Sequence, residues 1–255
     1  MWPGPTSPYG QRMNTSKGTW LVLTGLILYL CEFVAMALAG GYPSNTPLTP
    51  LTEIPATYEG FENGAGYLVG WMALALSGRI LIVLGFRKAF GPSPLLDWAV
   101  ALMSVSVALE VAAVGLLAGT AGLVADGVDA DAVLALDRAA WFVGSGVTAP
   151  VGLAVLLCAA AMWRHGDLSR LLAGIGVLTG ATTLLSGLLT APSTYPLASA
   201  LSTAVIVWWA WTLWVGIVLA RRAGLPAAER RRPVERDAHD RGTVVDGAGQ
   251  PDRLG

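Results

Sequence analysis

Three ionisable residues, Glu32, Arg79 and Glu110, lie inside long apolar stretches of the sequence. A charge at the centre of a membrane helix costs about 2.5 to 3.5 kcal/mol on insertion scales, so such residues normally face a partner or a water-filled cavity. At 1.5 Å per residue the two glutamates come to about the same depth, and the arginine lies roughly 6 Å nearer one membrane face. Arg79 can therefore bridge one carboxylate or both, because its planar fork suits bidentate pairing.

These three residues are the candidate catalytic group of the chain. Two carboxylates and one guanidinium leave a surplus negative charge in a low dielectric, which predicts that one glutamate carries a proton near neutral pH. A protonatable carboxyl in a membrane can be a proton carrier, a general acid or a cation site. The alternative is an ion-paired latch that only joins the helices. Tyr29 and Ser106, one turn before each glutamate, are predicted to donate hydrogen bonds and to bind substrate.

Four tryptophans, at positions 208, 209, 211 and 214, cluster in the last apolar segment. Several are too deep to be simple interfacial anchors. Aromatic faces can stabilise a cation or hold a flat lipophilic ligand, so Trp208 and Trp211 are predicted to bind substrate. The alternative is packing against the glycine-rich segment that precedes them.

Six apolar segments account for most of the chain. The 255 residues are 54% hydrophobic and 13% charged, which is far from the balance of a soluble domain. A helix needs about 20 apolar residues to cross roughly 30 Å of hydrocarbon, where unpaired backbone is not tolerated. We therefore predict an all-α integral membrane protein, a six-transmembrane-helix bundle. The predicted spans are 19–40, 67–86, 98–119, 139–163, 171–190 and 197–220.

The orientation follows from the distribution of Lys and Arg. Both tails and the second and fourth loops carry basic residues near the span ends, whereas the first and fifth loops have none and the third has four aspartates against one arginine. This pattern predicts cytoplasmic N- and C-termini. The predicted parts are a tail over 1–18, a membrane domain over 19–220 and a disordered cytoplasmic tail over 221–255. Residues 37–39 also resemble a signal-peptide cleavage site, but the long apolar run containing Glu32 favours a retained helix.

Two further regions have alternative interpretations. Pro150 leaves the carbonyl of Gly146 without a helical partner and predicts a bend in the fourth span. Hydroxyl residues at helical spacing in the fifth span either line a polar cavity or pack closely around Gly176 and Gly180. The loop over 41–66 is either a lid over an outward cavity or a passive connector. The hydroxyl residues are Thr179, Thr182, Thr183, Ser186 and Thr190.

Several kinds of chemistry lack their residues in this sequence. The two histidines, His165 and His239, lie outside the predicted cores of the spans, and there is no phosphate-binding loop, zinc-type spacing or nucleophile elbow. We therefore expect no metal or other cofactor. A net charge near zero provides no basic field for nucleic acid. The expected partners are the lipid bilayer and a small lipophilic substrate.

The segment WRHGDLSRLLAG, from Trp163 to Gly174, has an aromatic residue, Arg and Gly where an apolar helix ends, and a Leu-x-Arg sequence where the next begins. Leu136-Asp137-Arg138-Ala139, which leads into the preceding helix, likewise places charged residues where an apolar segment begins. Together they resemble small multi-pass, six-helix bacterial membrane proteins of unknown function. An excess of Arg over Lys is also typical of a GC-rich bacterial genome. The resemblance implies a bacterial inner membrane and no particular activity.

The sequence thus favours a polar intramembrane site that handles a small or lipophilic substrate. Three classes of function remain open. A proton-coupled transporter would use a glutamate as proton carrier and Arg79 as its switching partner. A membrane-embedded, acid-initiated cyclase of the isoprenoid type would need a glutamate and the tryptophans in one cavity. A structural or regulatory partner of another membrane protein would need neither.

Overall fold

The computed structural model describes residues 15–43, 45–165, 168 and 170–224, and within them the chain is helical, with no β-strand. Most of the two predicted tails, over 1–18 and 221–255, lies outside the described residues. Short 3-10 turns occupy Leu51–Glu53, Pro55–Tyr58 and Pro192–Thr194. The α-helices are α1 (Thr15–Leu38), α2 (Glu62–Phe90), α3 (Pro94–Ala125), α4 (Ala130–Ser145), α5 (Thr148–His165), α6 (Arg170–Leu188), α7 (Tyr195–Ser202) and α8 (Ala204–Gly224).

Six helical segments are long and apolar enough to cross a membrane, which agrees with the predicted number of spans. The first three and the fifth are the single helices α1, α2, α3 and α6. The fourth span combines α4 and α5 over Ala130–Arg164, and the sixth, Pro192–Ala223, combines a 3-10 turn with α7 and α8. Six such segments indicate a multi-pass membrane protein.

The fourth and sixth spans are broken, whereas the sequence predicted continuous helices. The fourth stops at Ser145 and resumes at Thr148, so that Pro150 lies in the first turn of α5, where a missing amide donor costs least. The predicted bend is thus a break just before the proline. The sixth span is broken at Thr203. The fourth span also begins at Ala130 and not at 139, so part of the predicted third loop is helix.

The turns between α2, α3 and α4 depend on residues with clear local roles. Gly91 has φ +86° and Gly127 has φ +64°, a conformation that L side chains rarely adopt, so each lets the chain leave a helix abruptly. Pro94 opens α3 at a position suited to its fixed φ. Asp129 caps α4 by accepting a hydrogen bond from the backbone amide of Asp131 at 3.2 Å.

The spans form a closed ring, because each packs on the next in chain order and α8 returns to α1. The tightest neighbours are α1 and α2. A Cβ atom on Gly25 would lie 2.6 Å from the carbonyl oxygen of Gly78, and one on Gly18 would lie 2.8 Å from that of Gly85. Small residues at these crossings let the two backbones touch, the usual means of association when lipid removes the hydrophobic drive between helices.

Candidate functional site

A cavity of about 540 Å³ lies inside the ring, and all six spans contribute to its wall. It occupies the half of the bundle that carries the first, third and fifth loops. Its lining includes Tyr42 and Asn45 of the first loop, the C-terminal half of α4, the C-terminal half of α6 and residues of α7. The other half is filled with buried side chains such as Phe86, Met103 and Trp211. The cavity therefore has a floor near the middle of the spans and a roof made by loops.

Arg79 and Glu110 form the charged floor of this cavity. Both terminal nitrogens of Arg79 donate to the Glu110 carboxylate, Nη1 to Oε2 and Nη2 to Oε1 at 3.2 Å. Nη2 of the same guanidinium lies 3.7 Å from Oε2 of Glu32. The ring of Tyr29 lies 4.5 Å from the guanidinium carbon, within cation–π range. The structure thus brings Glu32, Arg79, Glu110 and Tyr29 together, as their depths in the sequence predicted.

The two carboxylates near Arg79 differ in whether they line the cavity. Glu110 lines the cavity, whereas Glu32 does not and is only 9% exposed. Oε2 of Glu32 has no hydrogen-bond partner among the described residues, and neither has Nε of Arg79. A buried charged oxygen without such a partner is costly, so a proton on Glu32 would relieve the surplus negative charge of the trio. Arg79 is therefore shared between a carboxylate that a ligand can reach and one that it cannot.

The first loop covers the cavity and is tied to α4. Tyr42 and Asn45 line the cavity, while Ile54 and Tyr58 are fully buried. The Tyr58 hydroxyl donates to Oδ1 of Asp137 at 2.7 Å, and the Asn45 side-chain amide donates to the same oxygen. Burial, reinforced by this hydrogen bond and by the charge of Asp137, raises the pKa of Tyr58 above its usual range, so the hydroxyl stays protonated as a donor. These contacts favour the prediction that the first loop is a lid over the cavity and not a passive connector between helices.

Asp137 is the residue of this site that the sequence did not predict. It was assigned to the third loop as one of four outward aspartates, but it lies in α4, is 2% exposed and lines the cavity. The available signal was the helical spacing of Val133, Asp137 and Ala140, which share the buried face of α4. Trp141, one turn further along α4, also lines the cavity.

The predicted aromatic and hydroxyl residues divide between cavity and packing. Trp208 lines the cavity and lies 5.3 Å from Tyr29, ring centre to ring centre. Trp211 instead donates to the carbonyl oxygen of Leu172 at 2.7 Å and is buried. Ser106 donates to the carbonyl of its own helix, and neither Trp211 nor Ser106 lines this cavity. Their predicted role in substrate binding has no support from the geometry.

On α6, both interpretations of the small residues apply to different positions. Thr183 and Ser186 line the cavity, as does Thr190 just beyond the end of the helix, whereas Thr182 donates to carbonyls of its own helix. Thr179 is buried and does not line it. Close packing holds at Gly180, where a Cβ atom would lie 2.8 Å from Leu156, and at Gly176, where it would lie 2.7 Å from Trp211.

Comparison with protein-family models, curated proteins and solved structures gives no match. Of the predicted resemblance, the structure supports a small multi-pass membrane protein with six apolar spans. Within the described residues, no three His, Cys, Asp or Glu side chains gather as a metal site.

Tyr58→Phe should loosen the lid without unfolding the bundle. The change removes one hydrogen bond to a buried carboxylate, an interaction worth about 1.5 to 3 kcal/mol, while the aromatic ring is retained. We expect faster hydrogen exchange in the backbone of 51–61 and unchanged exchange in α2 and α3. Tyr67→Phe, on the 62% exposed Tyr67 of α2, is the matched control. Equal exchange in the two variants would show that the Asp137 contact does not hold the loop.

Proposed function

We propose that this chain is a proton-coupled transporter of the bacterial inner membrane, with both termini in the cytoplasm and its cavity facing outward. In this orientation the first loop is a lid on the outer side, and the Arg79–Glu110 pair is the floor of an outward-facing site for a small amphipathic molecule. The basic residues near the predicted cytoplasmic ends of the spans support this orientation. The first, third and fifth loops, which the same charge pattern places outside, lie on the cavity's side of the bundle.

The observation that carries this proposal is the sharing of Arg79 between Glu110, which lines the cavity, and Glu32, which lies behind it. One guanidinium neutralises one carboxylate, so the other is favoured in its protonated form at this depth. A ligand that competes for Glu110 shifts Arg79 towards Glu32 and favours release of a proton from it. Proton binding at Glu32 favours the reverse shift, so occupancy of the cavity and protonation are thermodynamically linked.

The titratable and charged groups around Glu32 are few. Tyr29 on α1, Tyr42 of the first loop, Arg79 on α2 and Glu110 on α3 interact with it electrostatically. Helix α8 presents the indole rings of Trp208 and Trp209 to Tyr29. Because Arg79 is the single cation in this group, its position decides which carboxylate is neutralised. This is the arrangement that a switching partner requires.

The cyclase is supported by one observation, since Trp208 and Glu110 line the same cavity. An acid-initiated reaction also needs a carboxyl group with a proton facing the substrate. Both oxygens of Glu110 accept from Arg79, and Glu32, the carboxyl without such pairing, does not line the cavity. The geometry of the two glutamates therefore favours transport over acid catalysis by either of them. A purely structural latch would need no cavity beside it.

The proposal is tested with the full-length chain in proteoliposomes that enclose the pH dye pyranine. Three probes of similar size and permanent charge state are added outside: benzyltrimethylammonium, benzenesulfonate and benzyl alcohol. We expect one of them to change the internal pH only in vesicles that contain the protein, and to accumulate against its gradient when a pH gradient is imposed. Empty vesicles are the control for leak.

Failure of all three probes to move protons would overturn proton coupling for ligands of this size. Protein-dependent flux that is equal with and without a pH gradient would identify a facilitator without coupling. A chain that is extracted from membranes without detergent would contradict the membrane assignment itself.

A further inference from the structure

The cavity contains a buried carboxylate that no cation among the described residues neutralises. Asp137 is 2% exposed and lines the cavity, and the ion pairs among the described residues are Arg79–Glu32, Arg79–Glu110 and Arg87–Asp97. Its hydrogen-bond donors, the Tyr58 hydroxyl and the Asn45 amide, are neutral groups. They satisfy Oδ1 but leave the buried negative charge without a cationic partner in this part of the structure.

Among the described residues that line the cavity, Arg79 is the basic one. Both of its terminal nitrogens already donate hydrogen bonds to Glu110. The wall therefore carries Glu110 and Asp137 against a single guanidinium that is further shared with Glu32. An anion entering this space would meet surplus negative charge. A cation would meet a carboxylate ready to pair with it.

Aromatic residues are part of the cavity wall. Trp141 and Tyr195 line it towards Asp137, and Trp208 lines it near the floor, where Arg79 already lies against the ring of Tyr29. The face of an aromatic ring attracts a cation by about 0.5 to 2 kcal/mol, more when water is excluded. The rest of the wall includes the apolar side chains of Val114, Leu117 and Val151, which suit a hydrophobic body.

The two acidic residues lie at opposite ends of the cavity. A Cβ atom on Gly119 of α3 would lie 3.3 Å from Leu136, the neighbour of Asp137, so Asp137 is level with Gly119. Gly119 and Glu110 are nine residues apart on the same helix, a rise of roughly 14 Å. Asp137 is thus the acidic residue under the lid, and Glu110 is the one at the floor.

We infer that the cavity selects a lipophilic organic monocation, an ammonium group on an apolar or aromatic body, which first pairs with Asp137 beneath the lid. This inference names the substrate class for the proposed transporter and rests on that function. One uncompensated carboxylate corresponds to one positive charge. A divalent inorganic cation would need several converging oxygen ligands, carboxylates among them, and no three His, Cys, Asp or Glu side chains gather among the described residues.

The position of Asp137 also gives a path to the floor. A cation released from Asp137 can reach Glu110, where its charge replaces that of Arg79, and Arg79 can then pair with Glu32 as Glu32 loses its proton. One positive charge enters the site and one leaves, so the buried charge is unchanged. Cation–proton exchange is therefore the mode of coupling that this arrangement supports.

Binding of tritiated benzyltrimethylammonium to the full-length protein in nanodiscs, followed by scintillation proximity, tests the inference. We expect saturable binding that unlabelled benzyltrimethylammonium displaces and benzenesulfonate does not. Asp137→Asn should weaken the affinity by about 30-fold or more, the effect of removing one partner of a buried charge pair. Asp131→Asn, on an exposed aspartate of the same helix, should bind as the wild type does.

Equal displacement by benzenesulfonate, or wild-type affinity in Asp137→Asn, would overturn the cation site. If Asp137→Asn does not fold, the charge selectivity of the wild-type protein still decides the matter. Asp137-dependent binding without any proton movement in vesicles would support the cation site and sink the transporter. Proton-coupled movement of benzenesulfonate or benzyl alcohol would support the transporter and overturn the cation site.

Discussion

Arg79→Gln is expected to be the most destabilising single change in the bundle. It leaves Glu32 and Glu110 buried beside each other without a cation, and breaking a buried ion pair in this way costs about 3 to 5 kcal/mol. We expect the melting temperature in detergent to fall by roughly 10 °C, measured by loss of the monodisperse peak in size-exclusion chromatography after heating. The fall in melting temperature should be smaller at low pH, where the two glutamates are protonated and no longer repel each other.

The chain contains a matched control on the same helix. Arg87 pairs with Asp97 at 2.5 Å, but the two side chains are 38% and 52% exposed. Exposed pairs contribute about 0 to 1 kcal/mol, so Arg87→Gln should melt close to the wild type. The triple variant Glu32→Gln, Arg79→Gln, Glu110→Gln should recover much of the lost stability, because no charge then remains unpaired. If the Arg79→Gln protein melts at the same temperature as the Arg87→Gln protein, the buried charge trio is ruled out.

Glu32→Gln is expected to separate binding from coupling. Glutamine imitates the protonated carboxyl, so the Arg79–Glu110 pair should stay intact and the protein should fold normally. Arg79 then has no second carboxylate to move to. We expect binding of benzyltrimethylammonium to persist, with accumulation driven by a pH gradient falling to the level of empty vesicles.

The control for this variant is Glu53→Gln, on an exposed glutamate of the first loop, which should transport as the wild type does. Glu110→Gln should instead weaken binding as well, because it changes a residue of the cavity wall. Undiminished uphill accumulation in Glu32→Gln would remove Glu32 from the mechanism. Loss of binding in that variant would place it in the ligand site and not behind it.

The spans and the charged trio were predictable because each depends on the energetics of a single residue type or segment. Long apolar runs have no alternative in a membrane but helices, and a charge within such a run needs a partner. Glu32, Arg79 and Glu110 could therefore be paired from depth alone. Which of the carboxylates lines a cavity depends on the rotation of α1 and α3 about their axes. Their apolar residues are distributed nearly all around, so the sequence holds little information about that rotation.

Asp137 and the two broken spans were missed for different physical reasons. Charged residues near a span end are normally solvated, and only the buried face shared with Val133 and Ala140 distinguishes Asp137 from its three neighbours. The break before Pro150 was located to within a turn, since proline removes a specific hydrogen bond. Nothing comparable in the sequence marks Thr203, where α7 ends before α8 begins.

The glycine contact between α1 and α2 sets two time scales for the proposed cycle. Because the backbones touch at Gly25 and Gly78, we expect α1 and α2, which carry Glu32 and Arg79, to move as one unit. Movement of the buried guanidinium between carboxylates then needs rotation of one side chain and no displacement of a helix, so it should be the faster step. Admission of a ligand needs displacement of the loop or of the segmented spans, which takes about microseconds to milliseconds. Turnover would accordingly be governed by the gate, with protonation near equilibrium throughout.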